Sequence, residues 1–159
     1  MKIQDFMTQG VHTVQPQDSL EAAARKMWEH DCGALPVVDE NGRVIAMLTD
    51  RDVCMASYTQ GKRLSAIRVS TAMSRSIVTC HPGDTMSVAE RRMREHQVRR
   101  LPVIDDQERL VGIVSLNDFA IEAAARRNQS DGKRTMNEMV TTLAEICRHH
   151  NTAIVVRDE

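Results

Sequence analysis

Short apolar runs and polar turns follow one another along this chain in a fixed order. Residues 11–14 read as a strand, broken by Pro16-Gln17-Asp18. Leu20, Ala23, Ala24 and Met27 then recur at helical spacing. They predict a helix to about Glu29, with Asp18 as N-cap and Glu21 completing a capping box. Residues 35–38 and 44–48 are apolar strands joined through Asn41-Gly42, a dipeptide that supplies the positive φ angles of a tight hairpin. A second helix is expected from about Asp50.

The order then starts again. Residues 77–80 predict a strand, Asp84 a cap on a helix to about Glu95, and residues 101–104 and 110–114 a second hairpin. Its turn, Asp106-Gln107-Glu108, has no glycine and is expected to be looser. Asn117 opens a closing helix to about Arg127. Slid forward until Pro36 lies on Pro102, residues 7–53 fall on residues 73–119 without a gap. Thr13 meets Thr79, Asp18 meets Asp84, Met27 meets Met93, and Leu35-Pro36-Val37 meets Leu101-Pro102-Val103. A repeat of this period is one supersecondary unit that cannot bury its apolar face alone. The two copies are expected to pair, with clefts where they meet.

This gives a first copy over residues 1–60, a connector over 61–70 and a second copy over 71–127. Residues 2–8 are expected to pack back on the module. Residues 128–159 belong to neither copy: a polar linker leads to Met136, Met139, Val140, Leu143, Ile146 and Cys147 at helical spacing. That stripe reads as core or dimer packing, and residues 152–156 as a short strand.

Composition narrows the picture. With 159 residues, 42% hydrophobic and 27% charged, the chain has the make-up of a soluble globular protein. Aromatic residues are 3% against 10 methionines, so the core is aliphatic. A net charge of −1 argues against nucleic acid as a partner, and Arg91, Arg92 and Arg94 read as a solvated basic face. Cys32, Cys54, Cys80 and Cys147 fit no metal or redox spacing, and with no signal peptide they read as reduced thiols of a cytoplasmic protein. No apolar run is long enough to cross a bilayer. His30 and His96 close helices, where a positive charge complements the dipole. Cys147, His149 and His150 lack a fourth ligand, so no metal site is expected. P-loop, G-x-G-x-x-G, H-E-x-x-H and nucleophile-elbow signatures are all absent, which points away from an enzyme.

One motif carries chemistry. Thr49-Asp50-Arg51-Asp52 and Ser115-Leu116-Asn117-Asp118 occupy equivalent places between an apolar strand and a helix. A hydroxyl followed three residues later by an acid is a capping box, which any helix start can use. The same junction lies at the carboxyl end of a strand, where ligands gather in α/β units. There the free helix N–H groups attract phosphate, and a carboxylate can accept hydrogen bonds from ribose hydroxyls.

The repeat, the Gly33-Ala34-Leu35-Pro36 turn into a strand and the paired hydroxyl-x-x-Asp endings resemble tandem CBS domains, or a Bateman module. The wording of the chain is similar to small stand-alone bacterial CBS-pair proteins. The resemblance implies an α+β fold: two β-α-β-β-α repeats in a pseudo-two-fold arrangement, each a small three-stranded sheet with two helices, plus a C-terminal helix. It implies a non-catalytic regulatory module that binds AMP, ADP, ATP or a related adenosyl ligand between the repeats, Mg²⁺ accompanying ATP. It also implies a homodimer and a protein partner. Asp52 and Asp118 would hold ribose, and Thr49 and Ser115 ribose or phosphate. Gly33, Ala34, Leu35 and Pro36, with Arg99, Arg100, Leu101 and Pro102, would line base and phosphate. Thr13 and Thr79 would border the base, and Arg51 and Asn117 complete the set from inside the two motifs. Arg99-Arg100 replaces Gly33-Ala34, so the clefts are not equivalent, and the one near Arg100 should prefer phosphate. Three other readings stay open: a constitutive dimeric adaptor with vestigial clefts, a nucleic-acid binder, and an enzyme whose activity the motifs do not show.

Overall fold

The computed structural model describes residues 1–74, 76–125 and 132–148. Its elements are α1 (Leu20–Glu29), β1 (Ala34–Val38), β2 (Val44–Thr49), α2 (Asp50–Gln60), α3 (Met86–His96), β3 (Arg100–Ile104), β4 (Leu110–Ser115), α4 (Leu116–Ala125) and α5 (Gly132–Arg148). This is the mixed α+β order that the apolar pattern predicts, in two copies and an added helix. β1 pairs with β2 antiparallel, Ala34 opposite Thr49 and Leu35 opposite Leu48, and β3 pairs with β4. The expected first strand of copy one contracts to a single parallel bridge. The Val14 N–H donates to the Pro36 carbonyl (3.1 Å), and the Val38 N–H to the Val14 carbonyl (2.9 Å). His12 and Thr13 stand together between Val11 and Val14, and that run has too few apolar residues to extend the pairing.

Two local assignments differ from expectation. The N-caps are Ser19 and Thr85, whose hydroxyls accept from the N–H of Ala22 (3.1 Å) and Val88 (3.4 Å). Asp18 and Asp84 stand one residue earlier. They close the preceding turns, accepting from the N–H of Gln15 and of His81, each at 2.9 Å. The proline in each turn lacks an N–H, and the aspartate reaches the nearest free donor before it. The second hairpin turn is not looser than the first. Asp39 and Asp105 each take the N–H of the residue four ahead on Oδ1 (2.9 Å), and Gly42 and Glu108 both adopt positive φ, +76° and +63°.

The chain divides into two compact units. One contains Thr8–Thr79 and Pro102–Gly112. Its core packs Leu20, Ala23 and Met27 of α1 against Leu35, Val37, Ala46 and Leu48 of the sheet and against Val53, Ala56, Ile67 and Val69. Within it the two hairpin turns meet reciprocally: the Leu110 N–H donates to the Gly42 carbonyl (3.1 Å), and the Val44 N–H to the Glu108 carbonyl (3.4 Å).

The other unit contains Met1–Met7, Cys80–Leu101 and the described part of Ile113–Glu159. Its core includes Ile3, Met86, Ala89, Met93, Phe119, Ala123 and Ile146, with the Phe6 ring edge-on to Phe119 at 5.6 Å. The leading segments are exchanged between the copies. Ile3 N–H donates to the Asp84 carbonyl and Val69 N–H to the Asp18 carbonyl, both at 2.9 Å. The stretch leading into each repeat's first helix turn therefore closes the helix turn of the other, which explains why residues 1–7 fall in the unit of α3.

α5 packs on α3 and α4. Its expected stripe is split: Ile146 is buried and Met139 half-buried, while Val140, Leu143 and Cys147 face solvent. Thr142 takes the central buried position instead. The strand expected at residues 152–156 and the histidines at 149 and 150 lie outside the described residues.

Candidate functional site

Both hydroxyl-x-x-Asp motifs form the capping boxes that their spacing predicts. Asp52 Oδ2 accepts from the Thr49 N–H (2.8 Å) and the Thr49 hydroxyl (2.7 Å), and Thr49 Oγ1 accepts from the Asp52 N–H (3.2 Å). Asp118 repeats this with Ser115: 2.7 Å, 2.7 Å and 3.4 Å. In both, one carboxylate oxygen does all the local work. Oδ1 of each aspartate accepts no hydrogen bond within the described protein, and both side chains are half-buried rather than sealed. An N-terminal carboxylate with one oxygen fixed and one open is a preorganised acceptor for a diol.

Asp52 opens onto a depression of about 190 Å³ lined with Met55, Ala56, Thr59, Gln60, Thr71 and Ala72. The Gln60 amide donates to the Thr71 hydroxyl (3.2 Å), tying the wall to the connector. Thr59, Gln60 and Thr71 escape sequence reasoning. Thr59 and Gln60 lie on the polar side of α2, and Thr71 comes close only through the 3-10 turn Val69–Thr71. The signal for Thr71 is indirect: it opens the second copy, directly after the connector has returned to α1.

The other predicted residues distribute as follows. Ala34, Leu35 and Pro36 are buried in β1, and the Gly33 carbonyl accepts the Asp50 N–H (3.1 Å), joining the strand start to the helix start. The Arg99 carbonyl takes the Leu116 N–H in the same way (3.0 Å). Gly33 and Asp50 line a second depression of about 360 Å³, with Ala24, Met27, Trp28, Asp31, Cys32 and Val53, which does not include Asp52. Thr13 is half-buried, its carbonyl accepting from Lys26 Nζ (2.6 Å). Beside it His12 stacks on His30, ring centroids 3.5 Å apart and 10° from parallel. Arg51 and Asn117 are exposed on the first turns of α2 and α4. Arg99 is exposed, Arg100 half-buried, and Leu101 and Pro102 are buried in β3. Thr79 is half-buried. Thr13, Gly33, Ala34, Leu35, Pro36, Thr49, Arg51, Asp52, Thr79 and Pro102 belong to the first unit described, and the remaining candidates to the second.

The basic face of α3 is largely consumed locally. Arg92 pairs with Asp84 (2.6 Å), and Arg91 lies 3.9 Å from Glu95. Burial pushes the Cys80 thiol up to about 12, so it stays protonated and unreactive. Among the described residues no three His, Cys, Asp or Glu side chains group as metal ligands, and no helix is long and apolar enough to cross a membrane.

Against known proteins, the model of the CBS domain matches this chain twice, over residues 3–58 and 69–124. The CBS domain-containing protein YhcV of Bacillus subtilis (strain 168) is 41% identical over 135 residues, which are 85% of this chain and 93% of YhcV. The crystal structure of the CBS domain pair of protein MJ0100, in complex with 5′-methylthioadenosine and S-adenosyl-L-methionine, superposes with a TM-score of 0.72 at 25% identity. The alignment covers 79% of this chain and 98% of that one. The crystal structure of CBSX2 in complex with AMP gives a TM-score of 0.69 at 26% identity, covering 80% and 98%.

Proposed function

This chain belongs to the CBS domain family, carrying the domain twice in tandem, and on that premise we propose that it is a non-catalytic adenosine-sensing module. The observation that carries the reading is Asp52: its Oδ2 is spent on the helix cap, while its Oδ1 stands open at a polar depression. Ribose hydroxyls donate to that oxygen, and the free N–H groups at the α2 start favour phosphate. AMP, 5′-methylthioadenosine and S-adenosyl-L-methionine in the two similar structures support an adenosine core as the shared part of the ligand. ADP and ATP extend the same core, Mg²⁺ accompanying ATP. Binding then favours one arrangement of the chain over another, and that differential affinity is the signal passed to a partner.

The test is a thermal-shift panel of AMP, ADP, ATP with Mg²⁺, S-adenosylmethionine and GMP, backed by mass spectrometry of small molecules released on denaturation. A one-site ligand at a hundredfold excess over its Kd stabilises the fold by about 2.7 kcal/mol. Adenosine ligands should raise the Tm and GMP should not. No shift with any of them, and no released nucleotide, would leave the adaptor reading in possession.

The same reading expects a homodimer. Trp28 on α1, at the larger depression, is 87% exposed, and Tyr58 on α2 is 82% exposed, an aromatic load that a lone surface rarely carries. Light scattering of Trp28→Asp against the unaltered chain tests this: loss of a dimer is the expected result.

A further inference from the structure

The seat of α5 on α3 and α4 contains a carboxyl that a permanent helix contact has no use for. Glu90 of α3 is 3% exposed, and its Oε1 has no hydrogen-bond partner. Thr142 of α5 is fully buried with its Oγ1 equally unpartnered. A buried polar atom without a partner weakens the contact that buries it. The other described charged side chains of these helices are Arg91, Arg92, Arg94, Glu95 and His96 on α3, Asp118 and Glu122 on α4, and Glu138 and Glu145 on α5. Two of them act on Glu90 in opposition: Glu138 resists its ionisation and Arg94 favours it. In the first copy the residue in register with Glu90 is Ala24. The repeat therefore folds without an acid at this place, and the acid occurs where α5 docks. The docking of α5 also divides its apolar stripe, with Ile146 buried and Met139 half-buried. Thr142 is turned inward, while Val140 (55% exposed) and Leu143 (45%) are turned out.

We propose that the α5 seat is a proton-operated latch, closed while Glu90 holds its proton and loosened when that proton passes to water. Ionised, Glu90 has no donor on its Oε1 and is opposed by the nearby Glu138 charge, and lifting α5 away opens the Glu90 carboxylate to water. The released helix carries Val140, Leu143 and Ile146 into solvent together, a continuous apolar surface that the closed latch divides. The inference does not depend on the ligand reading above.

The sign follows from linkage. Burial first, then Glu138, raises the Glu90 carboxyl from 4.5 to about 7 in the docked state. The docked form therefore binds more protons than the released form between these values. Docking is strongest below about pH 4.5, weakens as pH rises toward 7, and levels off above that.

Hydrogen exchange of the full chain, read by mass spectrometry, tests it. Amides of residues 139–147 are followed between pH 4.5 and 8, corrected for intrinsic exchange and referred to those of α1. Their protection should fall on the order of a hundredfold by pH 7.5 and then flatten. Glu90→Gln, nearly isosteric, should hold protection high and level across the range. Glu138→Gln, at a half-buried position, should give a shallower fall. A level profile in the unaltered chain overturns the latch, as does a Glu90→Gln profile with the original slope.

Discussion

The two copies of the repeat bury matching residues at matching places, yet their helical faces differ. On α1 and α2, Ala24, Met27 and Val53 border an open depression with Trp28 standing out from it. On α3 and α4, Glu90, Met93 and Phe119, the residues in register with these three, are buried in the unit that holds α5. Core positions repeat because each copy must fill the same space between one sheet and two helices. Face positions are free to diverge because each answers to what covers it. Differences between the copies are therefore where individual function should be sought, and each of them can be tested by substitution.

The largest effect is expected at the helix starts. Asp52→Ala should remove most of the ligand-induced stabilisation, about 2.7 kcal/mol at hundredfold excess, and lower the ligand-free stability by about 1 kcal/mol through the lost cap. Asp118→Ala loses an equivalent cap, since its hydrogen bonds match within tenths of an ångström. Thermal melts of both variants, with and without AMP, separate the two contributions. If each loses the cap alone and keeps the full AMP shift, both aspartates are structural and the sensing proposal fails.

A smaller effect is expected at the covered helical face. Because the Glu90 carboxyl is raised to about 7, the folded chain binds more protons than the unfolded chain between pH 4.5 and 7. Stability should fall as pH rises through that window. Glu90→Gln should flatten the dependence and add on the order of 2 kcal/mol at pH 8. Ala24→Glu in the first copy is the reciprocal test. Ala24 borders an open depression, so the new carboxyl can remain hydrated, and urea titrations at pH 5 and 8 should show no added slope.

Most of the fold was legible, and the reasons are physical. Helical and strand periods were clear because each element buries one face against one core, as at Leu20, Ala23 and Met27. The cap position is not legible because Asp18 and Ser19 are both good N-caps, and only the turn's need for an acceptor decides between them. The rotation of α5 is hidden for a related reason. Periodicity finds the apolar face, but α5 docks with Thr142 inward, and no local signal reports a rotation set by its neighbours. At the site, the aspartates were readable from spacing. Thr71 was not, because it joins Asp52 only through the return of the connector.

The smallest difference is in the hairpin turns, where the comparison is cleanest. Asp39 and Asp105 organise the two turns identically, each taking two backbone N–H groups on Oδ1. Donation from Arg43 and from Arg109 holds both carboxyls below their ordinary range. The fourth residue of each turn sits in the left-handed region, as Gly42 at φ +76° and as Glu108 at φ +63°. Glycine adopts that conformation without steric cost, and a side chain there costs about 1 kcal/mol. A Cβ on Gly42 would meet nothing within 4 Å, so the cost of adding one is conformational rather than a clash. Gly42→Ala should therefore destabilise, and Glu108→Gly stabilise, by similar amounts of roughly 0.5–1 kcal/mol. Both should leave the AMP shift unaltered. Chemical denaturation of the two single variants and the double variant checks this. Because the turns meet through the Gly42 and Glu108 carbonyls, any departure of the double variant from additivity measures how far each turn supports the other.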